Sequence, residues 1–210
     1  MKKNAYEYFD RLSKMYPNPK CALNFTNAWE LLVATILSAQ CTDKRVNMVT
    51  PGLFKELPTI QAFADVDLAR LEQIIRSTGF FRNKAKNIKA AAKTVLEQFN
   101  GSVPEEMDDL IKIPGIARKS ANVILYVWYG KNQGVIVDTH VKRISGRLGL
   151  TKHKDPVKIE KDLMKLYKKD DWGLLSYYFV DHGRALCKAP TPKCADCDLK
   201  DICPSAKNYL

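Results

Sequence analysis

Four cysteines lie close together near the carboxyl end of the chain, where their thiols could hold a metal centre. They are Cys187, Cys194, Cys197 and Cys203, separated by six, two and five residues, with prolines between and after them. Such spacing predicts a loop wound around one centre. Two disulfides are one alternative, and tetrahedral zinc is another, since four thiolates satisfy zinc. Zinc ribbons usually present two short cysteine pairs, so the asymmetric spacing favours a cubane iron-sulfur cluster.

A second segment, residues 110–121, could bind phosphate. It reads as the end of a short helix, a Pro114-Gly115 turn, and the start of another helix. Gly115 lets the backbone approach a ligand closely, and the start of a helix presents free N–H groups and the positive end of its dipole. Such a turn could seat one DNA phosphate without reading base sequence. By itself, however, a Pro-Gly turn between helices is usually only a connection.

Lys119 lies directly after this turn, and Asp138 follows nineteen residues later at another predicted helix start. Because a lysine amine has an ordinary pKa of about 10.4, a nucleophilic lysine must be desolvated or placed beside positive charge. Arg118 and the N-terminal end of the helix supply such charge. Taken separately, Lys119 could equally be a solvated phosphate contact and Asp138 an N-cap.

The elements that must position these groups are predicted to be helices. One apolar stripe predicts a helix that ends before Pro17, a second helix is capped by Thr26 or Asn27, and a third opens at Asp67. Further helices are expected over 82–99, 105–112, 117–129, 138–148, 156–169 and 172–186, with breaks at Pro51-Gly52 and Pro58. Only residues 134–137 look extended, so the fold is predicted to be all-α, with a tight domain boundary near residues 130–132.

The composition favours a folded protein with a polyanionic partner. Of 210 residues, 46% are hydrophobic and 27% are charged, which makes disorder unlikely in a chain of this length. Lys and Arg number 34 against 23 Asp and Glu, a net charge of +11, and a strongly basic balance suits nucleic acid. No apolar run reaches the roughly 18 residues of a membrane helix, and the first residues do not resemble a signal peptide, so a cytoplasmic protein is expected.

Together these residues resemble the endonuclease III family of DNA glycosylases, over essentially the whole chain. The resemblance rests on four features in the family's order: Leu37–Asp43, the hairpin Ile113–Ala121, Val137–Val141 and the four-cysteine spacing. It implies two all-helical lobes. Residues 22–131 form a six-helix barrel with a helix-hairpin-helix motif at about 107–125. Residues 1–21 with 132–210 form a helical domain whose loop, 187–203, holds a [4Fe-4S] cluster through the four cysteines.

The resemblance also implies a monomeric enzyme of base excision repair that acts on damaged bases and abasic sites in double-stranded DNA. As a DNA glycosylase and AP lyase it removes oxidised pyrimidines: Lys119 attacks the sugar C1′, expels the base and forms a Schiff base that undergoes β-elimination. Asp138 stabilises the positive charge developing on the sugar and assists proton transfer. The family positions assign DNA contacts to Gln40, Asp43, Phe80, Gly115, Ala117, Arg118, His140, Arg143, Lys188 and Lys193.

Two of these contacts have specific roles, and two positions depart from the family pattern. Gln40 is expected to fill the gap left by the extruded base, and Phe80 to wedge against the opposite strand. Phe80 is bulkier than the usual aliphatic wedge. Ala117 stands where the family commonly has a second glycine, and a positive φ there would cost about 1 kcal/mol.

Two other functions are alternatives. A single-function glycosylase acting on mismatched bases is one, although such relatives generally lack a lysine at the position of Lys119. A non-enzymatic iron-sulfur regulator that binds DNA is the other. A regulator should carry a base-reading helix, which the sequence does not show.

Overall fold

The computed structural model describes residues 2–210, with side chains from Asn4 onward. Its helices are α1 (Lys2–Met15), α2 (Ala28–Leu37), α3 (Asp43–Glu56), α4 (Ile60–Asp65), α5 (Leu68–Ile75), α6 (Phe81–Gln98), α7 (Met107–Leu110), α8 (Arg118–Val127), α9 (Thr139–Arg147), α10 (Pro156–Leu166) and α11 (Trp172–Ala185). Residues 2–210 contain no strand, so the all-α prediction is confirmed. Within this range no helix is both long enough and apolar enough to cross a membrane.

The helices belong to two compact units. The first unit consists of the chain up to Cys21 together with Asn132–Leu210, and the second consists of Ala22–Lys131. α1 and α9 to α11 lie in the first unit, where one apolar cluster, including Leu12, Ile144, Ile159 and Phe179, forms the core. α2 to α8 lie in the second unit. There α2 is buried on nearly all sides, from Leu31 to Leu37 without interruption, and forms the centre of the core.

Helix starts follow the caps that the sequence predicts. The side chain of Asn27 accepts a hydrogen bond from the Glu30 amide at 2.9 Å and opens α2. Asp67 does the same for α5 through the amide of Arg70 at 3.1 Å. Each cap satisfies an amide that has no partner inside its helix, so these short polar residues fix where the helix begins.

The predicted break at Pro51-Gly52 is wrong, because both residues lie inside α3. A proline within a helix removes one main-chain donor and usually ends or kinks the helix. Here Val46, Thr50 and Leu53 are buried along one face of α3. The apolar contacts of that face therefore outweigh the local preference of the Pro-Gly pair for a turn. The short helix α4 was also absent from the prediction.

Candidate functional site

The Pro-Gly turn joins α7 to α8, and its shape requires glycine at position 115. Gly115 has φ +86°, in the left-handed region, and a Cβ there would lie 3.0 Å from Asn87 Cβ and 3.2 Å from Ile36 Cδ1. Ile113 and Ile116, on either side, are buried and anchor the turn in the core. The backbone at Gly115 is thus held in a conformation that a side chain would strain, with the glycine itself exposed.

The strain considered for Ala117 does not occur, because this residue has φ −98° and ψ 169°, an extended conformation open to any residue. Ala117 is the N-cap of α8 and has no side-chain acceptor. No side chain of the N-cap residue therefore covers the start of α8, where the positive end of the helix dipole lies. The geometry fits the phosphate seat that the sequence suggests.

Lys119 is on the first turn of α8, one residue after Arg118, and its side chain is exposed. Every residue from Ala121 to Leu125 is buried, so the middle of α8 is enclosed in the core of the second unit. The first turn, with Lys119, lies outside that buried stretch and is exposed. A primary amine presented beside an open helix N-terminus can form a bond to an electrophilic carbon of a ligand whose phosphate binds at that end.

Asp138, in the first unit, is the N-cap of α9. Its Oδ1 accepts a hydrogen bond from the Val141 amide at 2.8 Å. The segment before it is fixed by the burial of Val135, Ile136 and Val137. The carboxylate is half-buried, so the N-cap that the sequence suggested is present. A capping carboxylate at a half-exposed helix start can also stabilise a positive charge on a ligand.

His140 and Arg143 make contacts within the first unit. Arg143 Nη2 lies 3.1 Å from His140 Nδ1 and donates to the Gly183 carbonyl at 3.2 Å, while its Nε donates to the Cys187 carbonyl at 3.0 Å. Burial lowers the pKa of His140. A Cβ on Gly183 would lie 2.5 Å from His140 Nδ1. These residues therefore support the packing of α9 against α11, and their DNA contacts stay a prediction.

In the second unit, Gln40 and Phe80 are exposed and adopt left-handed backbone conformations, with φ of 51° and 48°. Gln40 lies in the loop after α2. Phe80 lies immediately before α6, and 64% of its surface is accessible. Asp43 is the first residue of α3, and Thr42 is the N-cap of that helix. The structure thus presents the side chains of Gln40 and Phe80 outward, and their contacts with DNA stay a prediction.

The four cysteines of the C-terminal loop line one cavity in the first unit. Arg147 Nη1 donates to Cys187 Sγ at 3.2 Å, and the Leu199 amide donates to Cys197 Sγ at 3.4 Å. Such donors stabilise thiolates that are bound to metal. Four thiols on one cavity, with N–H donors aimed at two of them, are a donor set that fits an iron-sulfur cluster.

The loop is supported by two further side chains that the sequence analysis missed. Arg147 also donates to the Lys188 carbonyl at 2.8 Å and the Pro190 carbonyl at 3.1 Å. His182 is buried, lies 3.8 Å from Cys197 Sγ through Nε2, and meets Tyr16 Oη at 3.1 Å through Nδ1. Burial lowers the pKa of His182 to about 4, so the ring is neutral at pH 7.

No sequence pattern marked these two residues, because Arg147 sits in a long basic segment and His182 in an apolar helix. The predicted DNA contacts Lys188 and Lys193 lie in the same loop, and both side chains are exposed. Burial raises the pKa of the thiols of Cys194, Cys197 and Cys203. Burial therefore favours the protonated form of these three thiols as long as no cation lies beside them.

Comparisons with known proteins identify the family of the chain. Residues 33–169 match the HhH-GPD superfamily of base excision DNA repair proteins. An endonuclease III of Synechocystis sp. is 52% identical over 206 residues, covering 98% of this chain and 94% of the relative. An endonuclease III of Bacillus subtilis is 44% identical over 195 residues, covering 92% and 89%. The solved structure of a trapped endonuclease III–DNA covalent intermediate, an estranged-adenine complex, is 41% identical with a TM-score of 0.95, covering 99% of this chain and 98% of that chain. The chain belongs to the endonuclease III family, within the HhH-GPD superfamily of base excision DNA repair proteins.

Proposed function

We propose that this chain, a base excision DNA glycosylase with AP lyase activity, removes oxidised pyrimidines from duplex DNA through a Schiff base on Lys119. The observation that carries the proposal is the exposed amine of Lys119 on the first turn of α8, beside the Gly115 turn and the N-terminal end of that helix. The trapped covalent intermediate of a similar endonuclease III supports a covalent route.

In this mechanism the Gly115 turn and the first amides of α8 bind a DNA phosphate and so place the sugar beside Lys119. The lone pair of Lys119 Nζ forms a bond to C1′ as the glycosidic bond breaks, and the bonding electrons leave with the base. Nitrogen then forms a double bond to C1′ while the C1′–O4′ bond breaks and O4′ takes a proton. Loss of a C2′ proton expels the 3′ phosphate, and water releases the amine.

The carboxylate of Asp138 has two roles in this mechanism. It stabilises the positive charge that develops on the sugar before the bond to Lys119 is complete, and it assists transfer of the proton that leaves the amine. The cap to Val141 uses Oδ1 and holds the side chain in one orientation. A single residue thus combines a structural bond with an electrostatic role.

The cofactor is a [4Fe-4S] cluster held by Cys187, Cys194, Cys197 and Cys203. When bound, the cluster supplies iron–thiolate bonds that crosslink the loop, and its role here is structural. The loop carries Lys188 and Lys193, whose exposed amines bind DNA phosphates. Arg147 and the Leu199 amide stabilise two of the thiolates through the N–H···S bonds described above. The cluster therefore organises a DNA-binding loop.

Borohydride trapping tests the proposal. Reduction should link the wild-type protein covalently to duplex DNA that contains thymine glycol, whereas Lys119→Gln should bind the duplex without forming the adduct. Lys112→Gln is the matched control, because Lys112 is an exposed lysine of the same hairpin that pairs with Asp109 at 2.7 Å. Trapping by Lys119→Gln at the wild-type level would mean that another amine forms the Schiff base.

A further inference from the structure

Lys84 is a buried lysine in the first turn of α6. Only 4% of its surface is accessible. Its Nζ donates to the main-chain carbonyls of Leu37 and Thr78, each at 2.8 Å. Burial lowers the pKa of Lys84. Removing an ammonium group from water costs several kcal/mol, and an apolar side chain of similar size is often at least as stable in such a place. Stability alone is therefore a weak reason for this lysine.

The two carbonyls belong to the two loops that carry Gln40 and Phe80. Leu37 is the last residue of α2, three positions before Gln40, and Thr78 is two positions before Phe80. The ammonium group of Lys84 thus binds both the end of α2 before the Gln40 loop and the turn before Phe80. All of these residues belong to the second unit.

Both loops need such support. Gln40 and Phe80 have positive φ angles, 51° and 48°, without being glycine. This conformation costs roughly 1–2 kcal/mol for each residue and persists only where the surroundings impose it. Thr78 is buried and its hydroxyl donates to the Ile75 carbonyl at 2.8 Å. The turn before Phe80 is thus fixed from inside the core, and the Leu37 carbonyl is fixed to it through the ammonium group.

We propose that Lys84 is a positioning residue for base extrusion, and that its ammonium group joins the two loops so that Gln40 and Phe80 enter the DNA stack as one unit. The inference rests on the roles given above to Gln40 and Phe80. Lys84 itself does not touch DNA. Without the two hydrogen bonds of the ammonium group, each loop relaxes independently of the other. Gln40 and Phe80 then lose the relative positions that unstacking requires. Phosphate binding at the hairpin persists, because the hairpin does not contain Lys84.

The test is the rate of base unstacking in Lys84→Met, compared with Lys89→Met. Lys89 is the matched control because it lies on the same helix and its Nζ also donates to a main-chain carbonyl, that of Val66, away from the two loops. The probe is a duplex with 2-aminopurine opposite a tetrahydrofuran abasic-site analogue, whose fluorescence rises as the purine unstacks. A misplacement of about 1 Å can cost about a hundredfold, so Lys84→Met should unstack the probe between roughly tenfold and a hundredfold more slowly.

Lys89→Met should keep the wild-type rate, and both variants should bind the duplex as wild type does. Hydrogen exchange supplies a readout that does not depend on DNA: in Lys84→Met the amides of residues 38–42 and 79–81 should exchange faster together. Equal unstacking rates for Lys84→Met and Lys89→Met would overturn the inference. Thermal melting verifies that each variant is folded, and Lys84→Gln replaces Lys84→Met if the latter does not fold.

Two more variants distinguish this inference from the roles on which it rests. Gln40→Ala and Phe80→Ala should each slow unstacking. The double variant with Phe80→Ala and Lys84→Met should lower the logarithm of the unstacking rate by less than the sum of the two single effects. If neither alanine variant slows unstacking, the proposed roles of Gln40 and Phe80 fail, and this inference fails with them. If both do and Lys84→Met does not, only the role of Lys84 is wrong.

Discussion

Asp138 caps α9, and we propose that the same side chain acts on substrate. Its Oδ1 caps α9 through the Val141 amide at 2.8 Å. Asparagine also caps helices well, whereas alanine cannot. Substitution by asparagine therefore removes the negative charge and keeps the cap, and substitution by alanine removes both.

We expect Asp138→Asn to lower the single-turnover rate of base removal roughly a hundredfold, as loss of an electrostatic contact to a transition state does, with little change in stability. Asp138→Ala should lose the same rate and, in addition, about 1 kcal/mol of unfolding free energy for the cap. Quench-flow and urea unfolding measure the two quantities. A rate for Asp138→Asn close to wild type would restrict Asp138 to its capping role.

Residues of types that bear chemistry are easier to recognise in a sequence than the residues that support them. Lys119, Asp138 and the four cysteines stand out by type and spacing. Lys84 does not, because the sequence places it among five basic residues between Arg82 and Lys93, where a solvated face is the ordinary interpretation. Lys84 is buried because α6 packs against other helices of the second unit. A local sequence pattern does not reveal that packing.

At the scale of elements, the turn between α7 and α8 has a backbone conformation that only glycine adopts without strain. The turn requires a positive φ at position 115, which alanine adopts only with strain, and the Cβ of alanine would lie 3.0 Å from Asn87 Cβ. Gly115→Ala should therefore lose at least about 1–2 kcal/mol of stability and also weaken binding to undamaged duplex. Ala117→Gly is the control. It lies in the same turn but at an extended φ, so it should gain neither stability nor affinity.

Urea unfolding and fluorescence anisotropy on a short duplex test this pair of variants. A higher affinity of Ala117→Gly for DNA would mean that the backbone at position 117 changes on binding to a conformation that glycine adopts more easily than alanine. Unchanged stability in Gly115→Ala would mean that the turn readily adopts another backbone path.

The cysteine loop makes a second prediction at this scale. The purified protein should absorb in the violet, with equal amounts of iron and sulfide, and Cys203→Ser should weaken that band and lower the melting temperature because one crosslink of the loop is lost. Cys41→Ser is the matched control, since Cys41 lies outside the loop and in the other unit. A wild-type protein with bound zinc and no violet band would contradict the cluster.

Elements were predicted best where a cap and an apolar stripe agree, as at Asn27 and Asp67. They were predicted worst where local chemistry and packing disagree. Pro51 and Gly52 are strong turn signals, yet the burial of Val46, Thr50 and Leu53 keeps α3 continuous through them. Tertiary contacts decide such segments, and a single sequence does not show them.

At the scale of the whole molecule, charge is the property that the sequence fixes most directly. The net charge of +11 makes the affinity for DNA depend on salt. Each phosphate contact should contribute about 0.9 to the slope of log affinity against log salt concentration. Lys188→Gln and Lys193→Gln should each lower that slope by about this amount.

Lys131→Gln is the control for this series, because Lys131 is already paired with Glu106 at 2.8 Å. Its slope should match wild type. Titrations from low to moderate salt measure all four proteins. A slope unchanged by Lys188→Gln and Lys193→Gln would mean that the cysteine loop does not contact the DNA backbone.

The central claim is that the amine of Lys119 forms the bond to the sugar, and mass spectrometry of the reduced adduct tests it most directly. Borohydride is added during reaction with a duplex that contains thymine glycol, the adduct is digested with protease and nuclease, and the modified peptide is sequenced. The account predicts one modified peptide, with the sugar remnant on Lys119 of the Arg118-Lys119-Ser120 segment. A remnant on any other residue would contradict it.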